Sequence, residues 1–399
     1  MTMTTTPMRM TTTETRAELS PGPAAPSADV IFSELESLRG RRVAVAMSGG
    51  VDSSLAAARL VAHGVDVIGL ALRLHDPEPH NPLAPRACCA PDDLQDARRV
   101  AEHLGVPFYV IDARDRFEEG VVKPFVDSYL AGRTPNPCVG CNSTVKLDVL
   151  ARRARALGAD RLATGHYART RRTAEGVELF RGRDLGKDQS YYLFSTDPAL
   201  LRDLVLPLGA MSKAEVRTEA LAAGLPVAHK LDSQEVCFVG GAGAGAYVRT
   251  RPEAAHPAPG PIVDASGAIL GEHDGVAGFT VGQRRGLGIG RHERLFVLNI
   301  DAERRAVTVG PSEALMKDSL IAKDVAWVSG APSGPVPVVA KIRSRDPGTE
   351  AVVEAAEDQR VRVRFARPVR AVTPGQAVVF YQGDQVLGGA WIEGSVPAW

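Results

Sequence analysis

Short apolar runs alternate with helical spacings through the first half of the chain. Residues 42–47 (RVAVAM) read as a buried strand, and residues 51–63 repeat apolar side chains at helical intervals until Gly64. Residues 65–74 (VDVIGLALRL) are a second apolar run, residues 92–104 an amphipathic helix stopped by Gly105, and residues 106–112 (VPFYVID) a third strand. Residues 117–130 and 145–157 read as helices on either side of a Pro-rich loop, and residues 161–167 as a fourth strand. Strands alternating with helices of this length predict a doubly wound, mainly parallel α/β sheet with helices on both faces.

The pattern changes near residue 245. The stretch GGAGAGAYVRTRPEAAHPAPG is rich in Gly, Ala and Pro and marks a boundary. Beyond it, short alternating runs separated by turn residues every ~8–12 positions are the all-β signature. A second break near residues 311–318 divides this half. The expected organisation is a disordered tail over residues 1–29, an α/β catalytic domain over 30–245, a small β-rich central domain over 246–315 and a β-barrel over 316–399.

Lys+Arg and Asp+Glu both number 47, so the net charge is zero and bulk charge does not hold this chain to nucleic acid. Locally the balance differs. Residues 151–183 hold nine Arg against three acids, and residues 283–294 hold four Arg against one, which predicts two phosphate-contacting faces. No apolar run of ~18 residues could span a membrane, and the Thr-rich start lacks a secretory signal's apolar core. The expected compartment is the cytoplasm.

Ser48-Gly49-Gly50-Val51-Asp52-Ser53-Ser54 follows the first strand and opens the first helix. Two glycines let backbone N–H groups approach an oxyanion, the helix N-terminus adds positive character, and the serines add hydroxyl donors. It is not a Walker loop, which needs a Lys that is absent here. The string resembles the pyrophosphate loop of the ATP-pyrophosphatase superfamily, which cleaves ATP between its α- and β-phosphates.

The five cysteines are Cys88, Cys89, Cys138, Cys141 and Cys237. Cys138 and Cys141 form a C-x-x-C in a Pro-rich loop just before a helix, where a thiol is expected to be acidified by the helix N-terminus and by Lys146. A structural zinc site completed by Cys88 and Cys89 is the bland alternative. For Cys237 that alternative is an inert buried thiol.

SGGVDSS, TPNPCVGCN, ATGHYAR, GKDQSYYLF, LDSQEVCFV, FTVGQRRGLGIG and TPGQ occur in that order. As a set they closely resemble the bacterial tRNA-specific 2-thiouridylase family from about Arg42 to the C-terminus. The resemblance implies an ATP-pyrophosphatase domain followed by two β-rich domains. It implies that ATP adenylates the C2 oxygen of the wobble uridine of tRNA, and that sulfur then displaces AMP to give 2-thiouridine. Cys237 would carry the incoming persulfide and Cys141 would resolve it by thiol–disulfide exchange. ATP and Mg²⁺ would lie against Ala46, Met47, Ser48, Gly49, Gly50, Val51, Asp52 and Ser53, with Leu72 beside the adenine and Gly165 close by.

The resemblance also assigns tRNA contacts to Asn136, Pro137, Cys138, His166, Lys187, Asp188, Gln189, Arg343, Ser344 and Gln376. Two positions depart from the family pattern. Ser344 replaces a usual aromatic residue. Cys138 replaces a common Asp linked to proton transfer, which makes it a third candidate catalytic residue. Three thiols also raise the alternative of an iron–sulfur cluster, as in related thiouridine synthetases. The sulfur donor would be a sulfur-relay protein or a cysteine desulfurase. The competing classes are an ATP-pyrophosphatase amide ligase acting on a small molecule, which needs neither Cys141 nor Cys237, and a non-catalytic tRNA-binding protein with zinc, which needs no Asp52.

Overall fold

The computed structural model describes residues 19–75, 91–232, 236–241, 243–254, 258–290 and 294–395. Its first half contains β1 Arg42–Ala46, β2 Asp66–Arg73, β3 Phe108–Asp112, β4 Arg161–Ala163, β5 Ala168–Arg172, β6 Val177–Arg181 and β7 Leu204–Val205. The longer helices are α1 Ala28–Ser37, α2 Val51–Ala62, α3 Pro91–Leu104, α4 Lys123–Leu130, α5 Leu147–Ala156 and α6 Lys213–Ala222. Five strands form a parallel sheet in the order β3-β2-β1-β4-β7.

Alternation along β1 shows why the sheet is covered on both faces. Val43 and Val45 join a core with Leu35 of α1, Leu55 of α2, Val100 of α3 and Val216 of α6. Ala44 belongs to the opposite core, with Leu70 and Leu72 of β2 and Leu147 and Leu150 of α5. Strand order turns at β1, with β2 and β3 on one side and β4 and β7 on the other. The crevice beyond the carboxyl ends of β1 and β4 is where such sheets bind ligands.

The second half is all β. Strands β8 Gly260–Val263, β9 Ile269–His273, β10 Phe296–Asp301 and β11 Ala306–Gly310 make a four-stranded sheet around Ile262, Val297 and Val307. Strands β12 Met316–Trp327, β13 Val336–Lys341, β14 Thr349–Ala355, β15 Val361–Arg370, β16 Ala377–Gln382 and β17 Gln385–Ser395 close into a barrel, because β17 returns to pair with β12. Its interior takes alternate residues such as Val361, Val363 and Phe365.

Four expectations need correction. The fourth strand ends at Ala163, not at residue 167, and residues 164–167 leave the sheet to cross the N-terminus of α2. The C-x-x-C is helical, because Pro137 occupies the first turn and helix runs on through Cys141–Lys146, a wider π turn, into α5. The expected tail is ordered from residue 19. The carbonyls of Pro26 and Ala24 accept hydrogen bonds from Arg169 and Arg171, each 3.1 Å, before α1 begins. Finally, the unforeseen hairpin β5–β6 leaves the α/β half and extends the barrel sheet through β17. Residues 1–18, Cys88 and Cys89 lie outside the described residues.

Candidate active site

The phosphate loop is closed by its own bonds. Gly49 has φ +72°, and a Cβ there would sit 2.1 Å from the Asp93 carbonyl oxygen, so only glycine fits. Ser53 Oγ accepts the Ser48 N–H at 3.1 Å and lies 3.2 Å from Ser48 Oγ, while Ser54 Oγ donates to the Gly50 carbonyl at 2.8 Å. Gly50 caps α2 without a side chain, which leaves first-turn N–H groups facing the crevice. Met47, Val51 and Leu72 are buried in the cores, so they can meet a nucleotide only through their backbones. The expected place of Leu72 beside the adenine is thus one for its backbone. Ala46 is half-buried.

Gly165 shows how the end of β4 meets this loop. A Cβ on it would lie 2.7 Å from the Asp52 carbonyl carbon and from the Ser53 nitrogen. Tyr167 follows, and its hydroxyl donates to Asp52 Oδ1 at 2.7 Å. Burial, then the Asp52 charge, raises the Tyr167 pKa, so it stays a donor. Lys213 Nζ reaches both Asp52 oxygens at 2.7 and 2.9 Å and Asp232 Oδ1 at 2.9 Å. Asp232 also accepts from Lys187 at 2.7 Å and Arg217 at 3.0 Å. Burial would raise the Asp232 pKa, but hydrogen bonds from Lys187 and Lys213 hold it below the usual carboxylate value. Lys230 bridges Asp93 and Asp96 and donates to the Gly49 carbonyl at 3.1 Å. Tyr167, Lys213, Arg217 and Lys230 are absent from the sequence expectation. The S-x-x-E capping box Ser212 to Glu215 was a readable signal that Lys213 opens a helix.

Cys141 lies in the core on the opposite face of the sheet from α2, with Cys237 packed against that core. Cys138 is exposed in the first helical turn, Cys141 is buried one turn on, and Cys237 is half-buried. The helix-terminus effect fades within a turn, so it favours Cys138 over Cys141. Cys141 belongs to the core against which Cys237 and Phe238 pack. Phe238 meets Phe117 and Phe125 edge-on at 5.5 and 5.1 Å. Lys146 follows Cys141 in the same π turn, and its charge acts on His166. Burial, with that charge adding to it, pushes the His166 pKa down from 6.5 to about 3. The ring is neutral at pH 7, with Nδ1 2.8 Å from Thr164 Oγ1.

Among the described residues no group of three or more His, Cys, Asp or Glu is placed to hold a metal ion. Cys138, Cys141 and Cys237 are thus not gathered into such a group, and the zinc alternative, which needs Cys88 and Cys89, lies outside the described residues. Asp52 beside a phosphate loop does fit Mg²⁺, which binds through one or two carboxylates plus substrate phosphates.

Several expected tRNA residues hold the protein together. Asp188 Oδ1 accepts the N–H groups of Gly182 and Ser190 at 3.1 and 3.0 Å, and Gln189 Oε1 accepts that of Tyr167 at 2.9 Å. Gln376 donates to the carbonyls of Thr134 and Pro135 at 2.9 and 3.3 Å, which fastens the barrel to the loop before Pro137. Arg343 donates to the carbonyls of Arg370 and Ala371. Asn136 interacts with Tyr191, and Ser344 and Cys138 with Tyr192, so these three gather about one tyrosine pair.

The first Arg-rich run is also corrected. Arg169 is buried and bonded to Asp384, Arg171 pairs with Glu178 at 2.6 Å, and Arg172 with Glu34 at 2.9 Å. Arg161 and Arg155 share Asp203, and Arg183 binds Glu215. Of these, Arg169 and Arg172 join the hairpin to its surroundings, and Arg171–Glu178 is a cross-strand pair within it. Arg284 and Arg285 are exposed, with no ion-pair partner among the described residues.

Three family models match the chain. They are a tRNA methyl transferase HUP domain over residues 41–241, a tRNA methyl transferase PRC-barrel domain over 252–311 and an aminomethyltransferase β-barrel domain over 317–392. Among curated relatives, the tRNA-specific 2-thiouridylase MnmA of Geobacter metallireducens is 48% identical over 364 residues, covering 89% of this chain and 98% of its own. The same-named protein of Rhodospirillum centenum is 48% identical over 362 residues, 88% of this chain and 91% of its own. Solved structures superpose weakly. An NMN synthetase from Francisella tularensis covers 52% of this chain and 76% of its own at TM-score 0.32 and 18% identity, too low to argue from.

Proposed function

The chain belongs to the tRNA-specific 2-thiouridylase MnmA family, and from that premise we propose how its residues convert a tRNA uridine to 2-thiouridine. It is an ATP-dependent tRNA sulfurtransferase. The observation that carries the detailed reading is the close approach of Gly165, just past the end of β4, to Asp52 and Ser53 of the phosphate loop.

In this reading residues 30–245 do the chemistry, while residues 246–315 and 316–399 grip the tRNA. ATP lies over the loop from Ser48 to Ser53, with phosphate oxygens on first-turn N–H groups of α2. Asp52 would hold Mg²⁺, which supplies neutralisation of phosphate charge. The wobble uridine enters between Asn136, Pro137 and Cys138, reached from a single-stranded loop without opening a duplex. Its C2 oxygen attacks the α-phosphorus, and pyrophosphate leaves. The terminal sulfur of a Cys237 persulfide then attacks C2. The Cys141 thiolate attacks Cys237 Sγ, a Cys141–Cys237 disulfide forms, and the S–S bond to the base breaks. The sulfur left on C2 expels AMP as the C=S bond closes. A dithiol reductant restores the thiols.

His166, neutral at pH 7, can donate or accept one hydrogen bond here but not serve as a cation. Cys138 occupies the exposed first turn, where a thiolate could take the role of the family's Asp. The sulfur comes from a persulfide-bearing relay protein or a cysteine desulfurase, and the enzyme works in the cytoplasm, where tRNA is. No helix among the described residues is long and apolar enough to cross a membrane.

The test is to incubate the protein with unmodified tRNA, ATP, Mg²⁺ and a persulfide donor, then measure 2-thiouridine and AMP. Both products are expected. Neither product, or AMP independent of tRNA, would overturn the reading.

A further inference from the structure

The ammonium of Lys213 fills Asp52. It lies 2.7 and 2.9 Å from the two carboxylate oxygens, and the Tyr167 hydroxyl takes the remaining direction at 2.7 Å. A divalent cation that needs both Asp52 oxygens must compete with this ammonium for them. Lys213 is also 2.9 Å from Asp232, and its side chain is only 12% exposed.

The two carboxylates do not depend on Lys213 equally. Asp232 keeps Lys187 and Arg217 if Lys213 leaves. Among the described residues Asp52 has no other cation in its ion pairs. Removing Lys213 therefore exposes a charge at Asp52 alone, so its departure needs another cation to arrive there. The backbone of Lys213 cannot follow. It is the first residue of α6, where Ser212 and Glu215 form a capping box and the Lys213 N–H donates to Asp184 at 2.9 Å. Only the flexible side chain can move, and it pivots at the edge of the phosphate loop.

We propose that Lys213 is a phosphate-binding residue of the ATP reaction, latched on Asp52 until metal-bound nucleotide separates the pair. This rests on the reading that the loop takes ATP. The exchange conserves charge. Asp52 trades an ammonium for the divalent cation that accompanies the phosphates, and Lys213 trades a carboxylate for a phosphate oxygen. ATP without a divalent cation meets the latch closed, and its phosphates face Lys213 only by uncovering Asp52. The empty site thus keeps its acid and its cation neutralised by each other, and ATP engages both only with its metal.

The experiment measures binding, not turnover. An α,β-methylene ATP analogue is titrated calorimetrically with and without Mg²⁺ into wild type, Lys213→Met, Lys213→Arg and Asp52→Asn, and Mn²⁺ alone is titrated with electron-spin detection. Lys213→Met should bind the metal-bound analogue about tenfold or more weakly, the loss expected for a charge-assisted bond to phosphate. It should bind Mn²⁺ alone more tightly than wild type, because the competing ammonium is gone. Lys213→Arg should retain most analogue affinity. Asp52→Asn should bind the metal-free analogue more tightly than wild type, since Lys213 is released; it tests the latch even if Lys213→Met fails to fold. Wild-type analogue binding by Lys213→Met would overturn the proposal, as would loss of both analogue and Mn²⁺ binding or an unchanged metal-free affinity in Asp52→Asn. A wild-type protein that ignores the analogue would overturn the ATP reading first, and the latch with it.

Discussion

The proposed nucleotide end and the proposed tRNA end of this site are built differently. At the nucleotide end, one contiguous heptapeptide supplies the binding geometry, and its serines and glycines bond chiefly to one another. At the tRNA end, the residues come from loops far apart in the chain and stand because they hold each other. Gln376 reaches back 242 positions to Thr134, and Gln189 holds Tyr167. The local device takes its shape from its own residues and its charge balance from remote ones such as Lys213 and Lys230. A distributed one can lose function when a remote clamp is cut.

The sharpest way to break the contrast is at Asp52. Asp52→Ala should reduce AMP formation by about 10³-fold or more while tRNA affinity stays near wild type, measured by product assay and filter binding. A matching loss of tRNA binding would mean that the two ends are not separable. Next are the thiols. Cys237→Ser should abolish 2-thiouridine but leave tRNA-dependent pyrophosphate release, whereas Cys138→Asp, which restores the family's common residue, should keep most thiolation. Parallel loss in both variants would give Cys138 an essential role of its own.

The two Arg-rich runs sharpen the comparison further. Arg284→Glu with Arg285→Glu should weaken tRNA binding and lower the salt slope by about 2, one for each phosphate left without its arginine. Arg171→Glu with Arg172→Glu should leave that slope alone and lower Tm by a few degrees, because those side chains pair with Glu178 and Glu34. Salt-dependent binding and thermal melts on the same samples decide it.

The smallest effect concerns pH. The folded-state pKa of His166 is depressed from 6.5 to about 3, so the unfolded chain binds more protons in that window. Stability should therefore fall as pH drops from 6.5 toward 3, and His166→Gln should flatten that decline in pH-dependent melts. Unaltered pH dependence in His166→Gln would place the acid-labile group elsewhere.

What the sequence revealed follows the same division. The phosphate loop was legible because its residues are contiguous and each has a local reason to be there. The parallel sheet was legible because its strands are short apolar runs. The β5–β6 hairpin was not. ARTRR and VELFR carry so many charges that alternation is hidden, and part of the reason for those charges lies in Glu34 and Asp384, which no local window contains. Lys213 was missed for the same reason, since its partner Asp52 is 161 positions away. The C-x-x-C reads as loop because prolines surround it, whereas Pro137 sits in a first helical turn, where proline is favoured.

The central claim is that ATP activates the uridine's own C2 oxygen and sulfur replaces it. Uridine labelled with ¹⁸O at C2 in the wobble position tests this directly, with AMP and 2-thiouridine analysed by mass spectrometry after a single turnover. The account predicts ¹⁸O in the phosphate of AMP, in amounts equal to the 2-thiouridine formed. Unlabelled AMP alongside full thiolation would contradict it.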